Sequence, residues 1–205
     1  MTVRGAGAIL WAGPEEIVLA SRSARRAALL AMLGVPFRVS VPPEDGVAGG
    51  AVADPAAYTL EQALEKCRAV AASIPADRPS LVVAADTIVV IEGAVLEKPA
   101  DEAEARSHLR RLANRRHTVV TGVAVQRTPD GREVSGTEAT EVTMSALDDE
   151  TIDLYVRTGE PMDKAGAYGI QGIGAQFISS VVGCYFNVVG LPLARLRALL
   201  VGLAG

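Results

Sequence analysis

The stretch from Leu81 to Pro99 reads LVVAADTIVVIEGAVLEKP, with one carboxylate, Asp86, set between two apolar runs, Leu81 to Ala85 and Thr87 to Ile91. Short apolar runs bounded by turn residues read as buried strands. Glu92-Gly93 supplies a turn and Glu97-Lys98-Pro99 returns along the same hairpin, so Lys98 is expected close to Asp86. A carboxylate inside apolar strand sequence has to be paired, hydrogen-bonded or metal-bound, because burying it alone costs several kcal/mol. A metal ligand, a general base and a turn residue capping its neighbour all meet that demand. Lys98, taken alone, also reads as a surface lysine.

Towards the N-terminus, Ile17 to Ala20 is a short apolar run, followed by Ser21-Arg22-Ser23 and then Ala24 to Leu33, whose apolar residues recur at helical spacing up to Gly34. Phe37 to Val41 reads as a second strand, and Pro42 to Pro55 as a loop carrying Glu44, Asp45 and Asp54. Thr59 with Gln62 fits a capping box, and Leu60, Ala63, Leu64, Cys67 and Val70 fall on one face of a helix running to about Ser73.

Towards the C-terminus, Asp101 and Glu104 open a helix through Leu112. Thr118 to Val125 and Val134 to Met144 flank Pro129-Asp130-Gly131 as a hairpin, and Asp148 opens a helix closed by Gly159. A glycine-rich loop spans Gly166 to Gly174, strands are predicted near Phe177 to Val182 and Tyr185 to Val189, and a last helix follows Pro192. Strands joined partly by hairpins and partly by crossovers imply a mixed sheet with helices packed on it, an α/β or α+β fold in one domain over residues 1–205.

Of the 205 residues, 49% are apolar and only 4% aromatic, so the core is expected to be aliphatic. The formal net charge of -4 speaks against a general nucleic-acid binder, which needs many cations spread over a surface. Cys67 and Cys184 form no CxxC pair and His108 and His117 are the only histidines, so neither a disulfide framework nor a zinc site is suggested. The first residues lack the pattern of a secretory signal, which predicts a cytoplasmic protein. Ala165 to Ala194 carries no charge, but its six glycines, with Gln171, Gln176, Asn187 and Pro192, fit loops and buried strands rather than a membrane span.

Two further segments carry chemistry. Ser21-Arg22-Ser23-Ala24-Arg25-Arg26 lies where a strand gives way to a helix, so free N–H groups, hydroxyls and guanidiniums converge. That arrangement suits a triphosphate. It also fits an ordinary Ser23 N-cap followed by solvated arginines, although cations in a first turn oppose the helix dipole and need an anion. In Asp163-Lys164-Ala165-Gly166-Ala167-Tyr168-Gly169-Ile170-Gln171-Gly172, the glycines permit close approach of backbone to a ligand. Gln171 offers a donor and an acceptor suited to a uracil or thymine edge, while a purely structural loop is the plainer reading.

In this order the blocks resemble the Maf family, from about Ile17 to Leu200. Ser21 to Arg26 is similar to its opening S-x-S-P-R-R block, Ala85-Asp86-Thr87 with Lys98-Pro99 to its central block, and Asp163 to Gly172 with Asn187 to Pro192 to its closing blocks; His117 to Gly122 follows suit. The resemblance implies a mixed α/β fold related to inosine triphosphate pyrophosphatases, with two lobes around a cleft, often a homodimer. It implies hydrolysis of a nucleoside triphosphate to the monophosphate and pyrophosphate, with Asp86 as proton acceptor and a divalent cation, Mg²⁺ or Mn²⁺. Ser21, Arg25, Arg26, Lys66 and Lys98 would bind the substrate, and Arg25, Thr87 and Gln171 would choose the base. These three match the branch acting on dTTP and UTP, with CTP and modified pyrimidine triphosphates left open. A nucleotide-binding regulator of septum formation and cell division, without turnover, is the alternative. The chain departs from the family at Ala24, where Pro is usual, and after Phe37, where the acidic segment is a residue short. The metal ligands implied are therefore Asp86 with Glu44 or Asp45.

Overall fold

The computed structural model describes residues 15–42, 52–128 and 130–204. Its elements are β1 (Glu16–Ala20), α1 (Ala24–Ala31), β2 (Phe37–Val39), α2 (Pro55–Ala71), β3 (Ser80–Ile91), β4 (Ala94–Leu96), α3 (Glu102–Leu112) and β5 (Arg116–Thr128). After these come β6 (Glu133–Met144), α4 (Asp149–Arg157), three short 3₁₀ turns between Glu160 and Phe177, β7 (Ile178–Val182), α5 (Tyr185–Val189) and α6 (Leu193–Ala204). The strands form one sheet in the order β2-β1-β3-β5-β6-β7, with β4 paired to β3. β1 runs parallel to β2 and β3, and the other pairings are antiparallel, so the fold is mixed α/β as the sequence predicts.

Alternate residues of a strand face opposite sides of a sheet. On one side Leu81, Val83 and Ala85 of β3 pack with Ile17, Leu19, Leu29 and Leu30 and with Leu196, Leu200 and Leu203 of α6. On the other, Val82 and Ala84 meet Val18, Ala20 and the α2 residues Ala63, Cys67 and Val70. Further along, Val89 and Ile91 enter another cluster with Ala105, Leu109 and Leu112 of α3 and Ile152, Tyr155 and Val156 of α4. The long strands thus connect apolar clusters at their two ends. Asp86 and Thr87, paired with Gly122 and Thr121 of β5, make the waist between them.

The pairing pattern opens that waist to solvent. β1 accompanies β3 only as far as Ala20 opposite Ala84, and β4 joins only from Leu96 opposite Val89. Between these points, among the described residues, β3 is paired with β5 alone, leaving a notch in the sheet beside Asp86 and Thr87. Gly122 lets α2 close over one face of the waist, since a Cβ there would lie 2.3 Å from the Thr59 carbonyl oxygen.

Several expectations are corrected. The two runs flanking Asp86 are one unbroken strand, so Asp86 is not a turn residue. Helix α2 begins at Pro55 rather than Thr59, because the Asp54 carboxylate accepts from the Ala56 and Ala57 N–H groups and Pro55 occupies the first turn. Thr59 instead bonds back to the Pro55 and Ala56 carbonyls. The second strand ends at Val39 and helix α1 at Ala31, each two residues early. The predicted strand Tyr185 to Val189 is helix α5, closed by Gly190 at φ 117°. Its β-branched residues are overruled by Asn187, whose buried amide donates to the Val119 carbonyl and Thr140 Oγ1, 3.0 Å each. No helix among the described residues is long and apolar enough to cross a membrane.

Candidate active site

The notch leads into a pocket that gathers residues from distant parts of the chain. Ser21, Arg25 and Arg26 reach it from the β1–α1 junction, Lys66 from α2, Asp86 and Thr87 from β3, Lys98 from the turn after β4, and Gln171 from the glycine-rich loop. Glu44 and Asp45 lie outside the described residues, and no group of three or more His, Cys, Asp or Glu side chains among those described is placed to hold a metal.

Asp86 faces α2, where Lys66 Nζ donates to its Oδ1 at 2.6 Å. Both side chains are largely withdrawn from water, at 9% and 18% exposure for Lys66 and Asp86, so the pair meets the requirement that a buried charge have a partner. The second oxygen, Oδ2, takes no hydrogen bond from a described residue, which leaves it open to the pocket. Glu97 stands nearby: burial raises its pKa first, and the Asp86 charge adds to the rise, against the hydrogen bond from Tyr58.

At the β1–α1 junction Ser23 caps the helix by accepting from the Arg26 N–H, and Ser21 Oγ accepts from the Ser23 N–H at 3.1 Å. Ser21 gives its own proton to no described residue and can donate to a phosphate oxygen. The anion that cations in a first turn require is Asp163: Arg25 Nη1 meets its Oδ2 at 2.6 Å and Nη2 its carbonyl at 3.1 Å. Lys164 Nζ holds the other carboxylate oxygen, also at 2.6 Å. Although burial opposes it, these two cations keep the Asp163 carboxyl below its usual pKa. Arg26 turns inward, donating from Nε to the Gly190 carbonyl at 2.8 Å and from Nη2 to Thr87 Oγ1 at 3.0 Å.

The opposite wall is apolar, with Val89, Val119, Tyr168, Ile170 and Val188. Tyr168 is fixed from behind by His117, whose Nε2 lies 2.7 Å from its hydroxyl. Burial lowers the His117 pKa to about 4, so the ring is neutral at neutral pH. Gln171 makes no hydrogen bond to a described residue, and the loop after it is anchored by Glu160, which accepts from Ile173 N–H and Gly174 N–H at 2.8 and 2.9 Å. A cationic wall, a carboxylate with one oxygen unpaired among the described residues and an apolar wall edged by an amide suit a ligand with a polyphosphate and a flat heterocycle.

These blocks also settle the kinship. A family model described as Maf-like protein matches residues 16–203. The chain belongs to the Maf family. It is 50% identical over 181 residues to a dTTP/UTP pyrophosphatase of Symbiobacterium thermophilum, covering 88% of this chain and 90% of that one. It is 43% identical over 186 residues to a dTTP/UTP pyrophosphatase of Dictyoglomus thermophilum, covering 91% and 95%. Among solved structures it is similar to a HAM1 protein from Coxiella burnetii, at 17% identity, 93% and 96% coverage and a TM-score of 0.48.

Reading this Maf chain as sequence passed over four side chains that the fold brings to the site. Asp163 and Lys164 open the glycine-rich segment, but nothing local points to Arg25 as the partner of Asp163, 138 residues away. Thr121 likewise reveals its place only through its strand pairing with Thr87. Glu97 adjoins Lys98 in the sequence, and only the fold brings its carboxyl within reach of the Asp86 charge.

Proposed function

We propose that this protein hydrolyses pyrimidine nucleoside triphosphates, dTTP and UTP first among them, to the monophosphate and pyrophosphate. The observation that carries the reading is the notch, where the Lys66-paired Asp86 and the cations Arg25, Arg26 and Lys98 share one pocket. The names of the 50% and 43% identical relatives support it. In this reading Asp86 Oδ2 accepts a proton from the water that attacks the α-phosphorus. The electron pair of the breaking α–β anhydride bond leaves with pyrophosphate. Lys66 holds Asp86 in place while Ser21, Arg25, Arg26 and Lys98 position the phosphates and balance the charge that gathers on their oxygens. Arg25, Thr87 and Gln171 then face the base.

A divalent cation fits the oxygen chemistry of Asp86 and Glu97, whose mutual repulsion it would relieve, with Glu44 or Asp45 as further expected ligands. Mg²⁺ or Mn²⁺ would supply charge neutralisation on the triphosphate. The reading also takes residues 1–205 as one domain, from the chain's length and patterning, working in the cytoplasm, from its lack of a secretory pattern, and as a homodimer, following the family resemblance.

Pyrophosphate release from dTTP, UTP, CTP, GTP and 7-methyl-GTP, with Mg²⁺ or Mn²⁺, tests the proposal beside Asp86→Asn. Release from dTTP and UTP that vanishes in the variant is the expected result. Binding without release from any nucleotide would turn the reading towards a regulatory binder.

A further inference from the structure

Behind Thr87 the hydrogen bonds run in one direction. Arg26 carries only donors, so Thr87 Oγ1 accepts from it at 3.0 Å. Thr87 Oγ1 and Thr121 Oγ1 are 2.9 Å apart, and either could donate to the other. Thr121 Oγ1 also lies 3.2 Å from the Asn187 carbonyl, which can only accept. A hydroxyl has one proton, so every contact is made only if Thr121 donates to Asn187 and Thr87 donates to Thr121. Thr121 and Asn187 are fully buried, away from bulk solvent. The proton of Thr87 therefore points into the protein, and what remains towards the pocket is a lone pair.

From this polarity we propose that Thr121, anchored on the Asn187 carbonyl, makes Thr87 an acceptor-only group, so that the pocket selects a pyrimidine with an N–H at ring position 3. Uracil and thymine carry that N–H, whereas cytosine presents a bare acceptor there. Thr121 acts through Thr87 and is a positioning residue that touches no substrate. The proposal rests on the pyrimidine triphosphate reading above and deepens it, separating UTP and dTTP from CTP.

Removing the Thr121 hydroxyl frees Thr87 to rotate and donate. The Asn187 carbonyl keeps the Gly190 N–H at 3.0 Å, so it is not left bare by the change. The test compares Thr121→Val, Thr121→Ala and Thr121→Ser with wild type, reading the UTP:CTP ratio of kcat/KM. The same ratio is read as affinity in an Asp86→Asn background, where turnover does not intervene. Wild type and Thr121→Ser are expected to favour UTP, and Thr121→Val or Thr121→Ala to lose roughly tenfold of that preference, about what one misdirected hydrogen bond is worth. Part of the loss should be a gain for CTP in absolute terms, which damage to the fold would not produce. Equal losses for both nucleotides with an unchanged ratio, or no preference for UTP in wild type, overturn the proposal. If wild type releases no pyrophosphate, the hydrolase reading fails while the affinity ratio still decides this one.

Discussion

Asp86 and Thr87 are neighbours on one strand, yet they face opposite sides of the sheet and meet opposite chemistry. Asp86 looks towards α2 and is held by one short ion pair to Lys66. Thr87 looks towards α1 and α5 and joins neutral hydroxyls and carbonyls on Thr121, Asn187 and Gly190, with Arg26 at the outer end. Both reach the same pocket because no described strand pairs with β3 on that edge between Ala84 and Val89. The difference teaches that a gap in strand pairing lets one short segment serve two tasks, charge and proton handling on one face and ligand discrimination on the other.

If the charged face carries the reaction, Asp86→Asn should show the largest effect. Its kcat is expected to fall by about 10² to 10⁴, the usual worth of a positioned base, with nucleotide affinity largely kept. Turnover equal to wild type would remove Asp86 from the mechanism. Lys66→Met leaves the Asp86 charge without its partner in a mostly buried place, and should destabilise the fold by about 3 kcal/mol as well as raise KM. Chemical denaturation with and without nucleotide would measure both, and unchanged stability would mean that water already reaches the pair.

The neutral face should respond to pH instead. His117, behind Tyr168, has its pKa lowered by burial from 6.5 to about 4, so between those values the unfolded chain binds the proton more readily than the folded one. The stability this contributes is complete above about pH 6.5 and is lost as pH falls towards 4, reaching about 3 kcal/mol at most. His117→Gln should flatten the dependence of unfolding free energy on pH across that window. A wild-type curve already flat there would contradict the burial of a neutral ring.

Gly122→Ala sharpens the comparison from the packing side. The added methyl would meet the Thr59 backbone at 2.3 Å, pushing α2 and its Lys66 away from Asp86 while leaving the Thr87 face in place. A loss of about 1–3 kcal/mol in stability, with a larger fall in kcat than in UTP preference, is expected from kinetics and thermal unfolding. The smallest effect should come from Gln171→Glu, which replaces a donor–acceptor amide by an acceptor-only carboxylate and should blunt preference for uracil and thymine by roughly tenfold. An unchanged substrate ranking would place the base away from Gln171.

Much of this architecture can be read from residues adjacent in the chain. Apolar runs mark the strands, Asp101 and Asp148 cap α3 and α4 as their positions predict, and β5 and β6 pair antiparallel as the predicted hairpin requires. Local patterns failed where a distant contact outweighed them. Tyr185 to Val189 has strand-like composition, but Asn187 needs two buried acceptors that only a helical turn presents to it. At Thr59 two signals competed, and the stronger Asp54-Pro55 start lay just upstream.

For the site, the sequence by itself determined which chemical groups were present and in what order: a lone acid in a strand, arginines at a helix start, an amide in a glycine-rich loop. Those are properties of short segments, and short-range sterics and hydrogen bonding write them into the chain. Tertiary structure alone decided that Lys66 reaches Asp86 at 2.6 Å, that Asp163 takes hold of Arg25, and that Thr121 stands behind Thr87 with its proton already committed. Each of these depends on strand register and helix docking, and a shift of one residue in β5 would turn Thr121 to the other face of the sheet.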